Sequence, residues 1–265
     1  MNKIERDMLS VLKELKEEYG AVSVKAEFEA EGTRTDELLR LLDLARRLDL
    51  EVALKIGGCE AVRDLIESKQ FGTDYIIAPM VETNYALQKF ILAIKKVYSS
   101  DQQNQTDFLF NCETLSTYNN LNDMSKIAQE SSEVQGIVFG RVDFVTSMGM
   151  SREKINTPEI SKYVIDVANN CKESNLDLVV GGGVTLEAIP YLKEIKDVHL
   201  SRFETRKVVF SSEALNNEHI SKGLEKTVHF ELLWLKNKYQ YYHEITNEDN
   251  SRIEMLDARW QELSE

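Results

Sequence analysis

The stretch "QGIVFGRVDFVTSMGM", residues 135–150, begins as an apolar strand and ends on charged residues. Gly136 to Phe139 have the composition of a parallel strand that is covered on both faces. Arg141 and Asp143 follow at the strand end, and strand alternation predicts that their side chains point to the same side. The two charges indicate either a strand end in solvent or the rim of an active site.

Strand and helix patterns alternate along the whole chain without a break in composition. The predicted strands are 22–28, 51–56, 74–80, 107–113, 136–143, 176–182 and 198–210. This alternation predicts parallel strands with right-handed crossovers. No G-x-G-x-x-G motif follows the first strand, so nothing supports a dinucleotide-binding sheet. Polar residues at nearly every strand end favour a closed (β/α)8 TIM-type barrel, which gathers those ends into one ring. Seven strands are clear, and the eighth is either the second half of 198–210 or missing.

The chain is predicted to be a single barrel domain over 1–265, with an N-terminal helix in 1–20 and a C-terminal helical extension, made of several helices, in 213–265. Large apolar residues recur at helical spacing in the extension: Leu224, Val228, Leu232, Leu235, Tyr239, Tyr242, Ile253, Leu256, Trp260 and Leu263. Such a stripe packs on other protein surface. We expect it to form a homo-oligomer contact, and packing on the parent barrel is the alternative.

Charge and composition limit the partners of the protein. The net charge of −13 disfavours nucleic acid and anionic membranes, which both require a basic surface. There is no signal-peptide apolar stretch and no run of about 20 apolar residues. Cys59, Cys112 and Cys171 form no CxxC motif, so a disulfide framework and a thiolate zinc site are both unsupported. We therefore expect a cytoplasmic protein that binds neither nucleic acid nor membrane.

Two carboxylates, Glu113 and Asp143, lie thirty residues apart at the ends of consecutive predicted strands. Neighbouring parallel strands are about 4.8 Å apart, so these groups could share a hard cation such as Mg²⁺ or Mn²⁺. A cation held in this open manner could polarise a substrate carbonyl. The alternative is two solvated acids, or acids paired with Arg141. Spacing alone leaves both open.

Basic side chains also mark the predicted strand ends of this acidic chain: Lys25, Lys55, Arg141, Arg202 and Arg206. A ring of cations would attract a small anionic substrate, and arginine can bind a carboxylate or phosphate through two hydrogen bonds. The alternative is that each cation pairs with a neighbouring glutamate. Glu82, which follows the third strand, belongs to the same predicted rim.

The segment "VVGGGV", residues 179–184, runs from a strand toward a helix. Gly181, Gly182 and Gly183 could let backbone N–H groups approach an anion, and barrel enzymes often bind phosphate near their last two strands. The alternative is a tight turn that requires positive φ.

Three motifs resemble the HpcH/HpaI aldolase and citrate lyase β-subunit family, whose members are barrels of the phosphoenolpyruvate/pyruvate superfamily. They are "APMVET", "FNCET" and "GIVFGRVDFVTSMG", and the resemblance covers roughly residues 50–185. It implies that Glu113 and Asp143 bind the metal. The chain also departs from the family: Gly140–Arg141 replaces the usual Gly-Pro, Lys55 stands nearest to the family's arginine, and residues 27–31 lack the Glu-His-Ala histidine.

The resemblance implies a carbon–carbon lyase or aldolase that depends on Mg²⁺ or Mn²⁺ and acts through a metal-stabilised enolate. The substrate would be an oxoacid-like anion, with or without a phosphate. Lys55 and Arg141 would bind the anion at the reacting centre. The expected substrate-binding residues are Lys25, Glu82, Gly181, Gly182, Gly183 and Arg202. A barrel that binds a metabolite without turnover, and a phosphotransfer or mutase member of the superfamily, are the alternatives.

Overall fold

The computed structural model describes residues 1–264 and contains a closed eight-stranded barrel surrounded by helices. The strands are β1 Ala21–Glu27, β2 Glu51–Lys55, β3 Tyr75–Ala78, β4 Asp107–Cys112, β5 Gly136–Gly140, β6 Asp177–Gly181, β7 Arg202–Glu204 and β8 Val208–Ser211. The α-helices are α1 Lys3–Tyr19, α2 Thr35–Arg46, α3 Val62–Phe71, α4 Asn84–Val97, α5 Ser100–Gln103, α6 Leu115–Ser131, α7 Arg141–Ser147, α8 Pro158–Glu173, α9 Ile189–Val198 and α10 Ile220–Ser264. Short 3₁₀ helices cover Arg152–Asn156, Leu186–Ala188 and Ser212–Asn216.

The strands pair in chain order, and the first seven are parallel, which confirms the predicted α/β barrel. The eighth strand is the second half of the predicted segment 198–210, and it runs antiparallel to both of its neighbours. A tight turn joins β7 to β8, in which the Thr205 N–H bonds to the Val208 carbonyl at 2.9 Å. The last strand therefore returns the chain to the amino end of the barrel.

Helix ends follow the local sequence. Asn2 and Glu5 form a capping box at the start of α1, and Gly20 ends that helix in the left-handed conformation with φ 76°. Thr83 caps α4 through the Ala86 N–H. Gly20 therefore ends α1 directly before β1, and Thr83 starts α4 after β3.

Alternation along the strands divides the side chains between two cores. Those that point outward pack beneath the helices. Those that point inward form a small apolar layer across the middle of the barrel, with one residue from each of five consecutive strands: Ala53, Ile77, Leu109, Val138 and Val179. Above this layer, at the carboxyl ends of the strands, the inward positions become polar.

The fifth strand is shorter than the sequence predicts. β5 ends at Gly140, which pairs with Gly181 at the end of β6, and helix α7 begins at Arg141. Beyond that pair, the ladder does not continue within residues 1–264. The prediction that Arg141 and Asp143 share one side of a strand is therefore wrong, because residues two apart on a helix point about 200° apart.

The C-terminal extension contains one 45-residue helix, α10, where the sequence suggested several. Its first half packs against α1: a Cβ on Gly223 would lie 2.8 Å from the Tyr19 Cβ, and Lys226 pairs with Glu14 at 2.7 Å. It then passes the start of α2, where the Tyr242 hydroxyl donates to Glu37. Residues 245–264 are exposed throughout and extend for about 30 Å.

Within residues 1–264, none of the helices combines the length and the apolar character that a membrane span requires.

Candidate active site

A cavity of about 500 Å³ opens at the carboxyl ends of the strands. Four of its lining side chains are basic and six are acidic: Lys25, Lys55, Arg152 and Arg206, against Glu27, Glu29, Glu113, Asp143, Glu204 and Glu231. The charge balance of these groups is −2. A second groove, of about 380 Å³, lies between α2 and α10 outside the barrel and contains none of the predicted site residues.

Glu113 follows β4 and is almost completely buried, at 1% exposure. Its Oε1 accepts the Met80 N–H at 2.9 Å, and its Oε2 accepts the Asn111 Nδ2 at 2.6 Å and the Lys55 Nζ at 3.4 Å. Met80, whose N–H donates to Glu113, has φ 50°, an uncommon conformation for a residue with a side chain. The carboxylate is thus fixed in orientation by three donors.

Asp143 lies in the first turn of α7, is exposed, and lines the same cavity as Glu113. The two residues come from consecutive units, because β4 pairs with β5. Gly140 lies against Glu113, where a Cβ would come within 3.2 Å of the Glu113 Oε2. The glycine therefore leaves room beside the buried carboxylate.

Asn111 also lines this part of the cavity and was missed in the sequence analysis. Its Nδ2 donates to Glu113, while its Oδ1 is buried and has no hydrogen-bond partner within residues 1–264. The signal was available, since residues 111 and 113 lie on the same face of an extended strand.

The oxygen atoms of Glu113, Asp143 and Asn111 are of the kind that Mg²⁺ and Mn²⁺ bind. In residues 1–264 no group of three or more His, Cys, Asp or Glu side chains is placed to hold a metal ion. Two carboxylates and an unpartnered amide oxygen nevertheless fit Mg²⁺, which is commonly held by one or two carboxylates with water and substrate in the other positions.

Lys25 and Lys55 lie inside the barrel mouth, and both are paired. Lys25 contacts Glu204 at 2.5 Å and Glu27 at 3.2 Å, and Lys55 contacts Glu29 at 3.3 Å as well as Glu113. Burial lowers the pKa of each lysine, but the neighbouring carboxylates outweigh it and the net pKa is raised. Both ammonium groups are therefore charged at neutral pH, and the glutamate pairing foreseen as an alternative is present.

The glycine segment lines the cavity as predicted, from the end of β6. Gly182 and Gly183 have φ 79° and 65°, so the positive φ foreseen as an alternative is also present. A Cβ on Gly181 would lie 2.8 Å from the Glu204 Oε1. The lack of a side chain at this position lets Glu204 reach Lys25.

Arg141 does not line the cavity. Its side chain is 1% exposed, and it donates from Nε to the Gly181 carbonyl at 3.2 Å and from Nη1 to the Asn156 Oδ1 at 2.9 Å. Burial lowers the pKa of this guanidinium to about 10, which leaves it charged at neutral pH. Arg141 therefore connects the glycine segment to the 3₁₀ helix 152–156.

Two further predicted residues also lie outside the cavity. Arg202 begins β7 and points to the opposite end of the barrel, where it pairs with Asp177 at 3.0 Å. The predicted strand began four residues too early, which placed Arg202 near the wrong end. Glu82 accepts the Thr114 hydroxyl at 2.7 Å beside the start of α6.

None of the four histidines in the described chain, residues 1–264, lines the cavity. The absence of a histidine from residues 27–31 is therefore not compensated by a histidine from another element. Arg152, from the 3₁₀ helix after α7, does line the cavity. It was missed because it lies in a connecting segment without a strand or helix pattern.

Several solved protein structures share this fold. An HpcH/HpaI aldolase from Desulfitobacterium hafniense DCB-2 has a TM-score of 0.59 at 10% identity, over 83% of this chain and 88% of its own. An HpcH/HpaI aldolase/citrate lyase family protein from Burkholderia cenocepacia J2315 has a TM-score of 0.61 at 11% identity, over 84% and 90%. The citrate synthase SbnG has a TM-score of 0.57 at 14% identity, over 84% and 89%. At such identities the likeness shows the fold alone.

Curated protein sequences gave no match. The family model described as HpcH/HpaI aldolase/citrate lyase matches residues 21–189, which include β1 to β6 together with Glu113 and Asp143. That match covers more than half of the chain, and it agrees with the three sequence motifs and with the barrel. The chain belongs to the HpcH/HpaI aldolase/citrate lyase family.

Proposed function

We propose that the protein is a carbon–carbon lyase or aldolase that depends on Mg²⁺ or Mn²⁺ and acts on an oxoacid-like anion. The observation that carries this proposal is the oriented, buried carboxylate of Glu113, which lines the barrel-mouth cavity together with Asp143 and with Asn111, whose Oδ1 has no hydrogen-bond partner within residues 1–264. Family membership supports the reaction class, and the metal and the substrate class are inferences from these residues.

The charge of the cavity supports a role for a divalent cation. Six acidic and four basic side chains line it, so a free anion would meet a balance of −2. A bound divalent cation would offset that balance, and an ion is often the largest local charge in such a site. An anionic substrate is therefore expected to bind together with the metal.

The paired lysines support metal-assisted chemistry over imine chemistry. A lysine must lose its proton before it can attack a carbonyl. The raised pKa values of Lys25 and Lys55 keep both amines protonated at neutral pH. The Lys55 Nζ lies 3.3 Å from Glu29 and 3.4 Å from Glu113, so a substrate carboxylate bound beside Glu113 would share this ammonium group with the two glutamates.

Glu113 and Asp143 would hold the cation, which supplies Lewis-acid stabilisation of negative charge on a substrate oxygen. The Met80 N–H and the Asn111 amide keep Glu113 in one orientation. Lys55 would bind the substrate carboxylate. Since no histidine in residues 1–264 lines the cavity, a proton that leaves the substrate must pass to a carboxylate or to water.

The test is exchange of the methyl protons of pyruvate in D₂O with Mg²⁺, followed by proton NMR. Exchange reports enolate formation directly and requires no knowledge of the second substrate. We expect exchange with the wild-type protein, and roughly a hundredfold less with Glu113→Gln or Asp143→Asn, because loss of charge stabilisation worth several kcal/mol slows the step by that order. Asp123→Asn, an exposed acid on α6, is the matched control.

Calorimetry with Mg²⁺ on the same variants separates the alternatives. If Glu113→Gln and Asp143→Asn bind Mg²⁺ as tightly as the wild type, the metal site is wrong. If Mg²⁺ and pyruvate bind normally but no proton exchanges, the barrel that binds a metabolite without turnover replaces the lyase.

A further inference from the structure

The cavity has one cation that differs from the others. Lys25, Lys55 and Arg206 each lie within 4.0 Å of a carboxylate, which neutralises much of their charge. Arg152 makes no ion pair with any residue of the described chain, 1–264, and its side chain is exposed at the cavity wall. Among the residues that the structure describes, it is therefore the cavity cation whose charge no protein carboxylate offsets.

The glycine segment beside Arg152 offers backbone donors. The N–H groups of Gly182, Gly183 and Val184 make no hydrogen bond within residues 1–264, although all three residues line the cavity. Gly182 and Gly183 are both in the left-handed region, so consecutive amides are presented in a turn. Successive backbone N–H groups in such turns bind anions in many proteins.

The 3₁₀ helix that carries Arg152 packs against the glycine segment. Ile155, three residues after Arg152 in the same 3₁₀ helix, has its Cδ1 only 2.5 Å from where a Cβ on Gly183 would be. The next residue, Asn156, accepts from Arg141, which also donates to Gly181. The buried guanidinium of Arg141 thus holds the 3₁₀ helix against the glycine segment and makes Arg141 a positioning residue.

We propose that Arg152 and the N–H groups of residues 182–184 form an oxyanion subsite for a second negatively charged group of the substrate. This inference rests on the proposed function, since the first carboxylate of the substrate would lie at Lys55 and the metal. The substrate class becomes a 2-oxoacid that carries a second carboxylate or a phosphate. Arginine can bind either group through two hydrogen bonds.

Calorimetry in Mg²⁺ compares pyruvate with doubly anionic probes: the four-, five- and six-carbon 2-oxo dicarboxylates, and phosphohydroxypyruvate. We expect at least one probe to bind the wild type about tenfold or more tightly than pyruvate, and Arg152→Gln to remove most of that gain. Pyruvate affinity should change by less than about twofold. The probe class that gains affinity identifies the group as carboxylate or phosphate.

Lys154→Gln is the matched control, because Lys154 is an exposed cation of the same 3₁₀ helix that does not line the cavity. It should keep the full gain. The subsite is overturned if no doubly anionic probe binds the wild type more tightly than pyruvate, or if Arg152→Gln weakens pyruvate and those probes equally.

Titration with inorganic phosphate in the absence of metal tests the subsite without the proposed reaction. Arg152→Gln should weaken phosphate binding about tenfold, and Lys154→Gln should not. Equal phosphate affinity in the wild type and Arg152→Gln overturns the subsite even if pyruvate exchange succeeds. A loss of phosphate affinity without any pyruvate exchange keeps the subsite and rejects the lyase.

Discussion

Arg202 stacks on Tyr75 at the end of the barrel opposite the cavity, with its guanidinium carbon 4.3 Å from the centre of the ring. It also donates to the Tyr75 hydroxyl at 3.0 Å and to Asp177 at 3.0 Å. Burial raises the pKa of the Tyr75 hydroxyl, so the ring stays neutral beneath the cation. The group closes the amino end of the barrel and fixes the starts of β3, β6 and β7 relative to one another.

Arg202→Leu should lower the free energy of unfolding by about 1–3 kcal/mol, because it removes a cation–π contact and two charge-assisted hydrogen bonds. Mg²⁺ affinity should stay within about twofold of the wild type, since the cavity lies at the other end. Urea unfolding and calorimetry on one variant check both statements. A large loss of Mg²⁺ affinity with unchanged stability would instead support the role in substrate binding that the sequence predicted for Arg202.

The contrast between Arg202 and Glu113 shows how much of the site the sequence predicts. Glu113 ends a clear apolar run, so its place on the rim follows from the pattern alone. Arg202 lies in a segment whose apolar residues do not define where the strand begins, and an error of four residues moves a side chain from one end of a short strand to the other.

The change from strand β5 to helix α7 at Arg141 depends on contacts that the sequence does not reveal. β5 stops where β6 stops, and the glycine segment then packs on the start of α7, where a Cβ on Gly182 would lie 2.7 Å from the Val142 N. Apolar periodicity carries no information about such a long-range contact. The barrel itself was predictable, because it follows from the alternation of strands and helices. The apolar periodicity of each segment is enough to predict whether that segment is a strand or a helix.

Lys25 should make stability depend on pH in a defined way. Its pKa is raised above the ordinary 10.5, so its contribution is complete below pH 10.5 and is lost as the pH rises beyond that value. The pKa of Glu27 is lowered from 4.5, because the attraction of Lys25 outweighs the effect of burial, which alone would raise it. The contribution of Glu27 to the free energy of unfolding is therefore present above pH 4.5 and is lost in more acidic solution. The pair is therefore fully stabilising from about pH 5 to pH 10.

Lys25→Met should accordingly cost about 3–5 kcal/mol at pH 7, because it removes the ammonium group that pairs with two buried carboxylates, Glu204 at 2.5 Å and Glu27 at 3.2 Å. The cost should shrink below pH 4.5 as Glu27 takes up a proton. Urea unfolding of the wild type and the variant at pH 4 and pH 7 measures the difference. The same cost at both pH values would show that the ion pair is not its source.

The charged state of the lysines also predicts a chemical result. Treatment with pyruvate and borohydride at pH 7 should leave the mass of the protein unchanged, because Lys25 and Lys55 are protonated and form no imine that could be reduced. Mass spectrometry of the intact protein is the measurement, and an aldolase known to form an imine serves as the positive control. An adduct on either lysine would replace the metal-assisted proposal with covalent catalysis.

The exposed stripe of α10 leads to a prediction about assembly. Ile253, Leu256, Trp260 and Leu263 recur at alternating three- and four-residue intervals and are 50–73% exposed. This is the spacing of a helix seam that packs on another helix, and residues 245–264 have no such partner within the described chain, 1–264. We propose that a second copy of the chain covers this seam.

Because Leu233 and Trp234 of α10 are buried in the hydrophobic core, a deletion from residue 215 would damage the fold, so point substitutions are the sharper test. Leu256→Glu with Trp260→Glu places charges in the seam and should reduce the particle mass in light scattering to that of one chain, with circular dichroism of the barrel preserved. Leu92→Glu, on the exposed face of α4 at 59% exposure, is the matched control and should leave the mass unchanged. Charge buried in a seam between helices costs several kcal/mol, so the doubly substituted chains should separate. A wild-type monomer, or a doubly substituted protein of unchanged mass, would therefore refute assembly through α10.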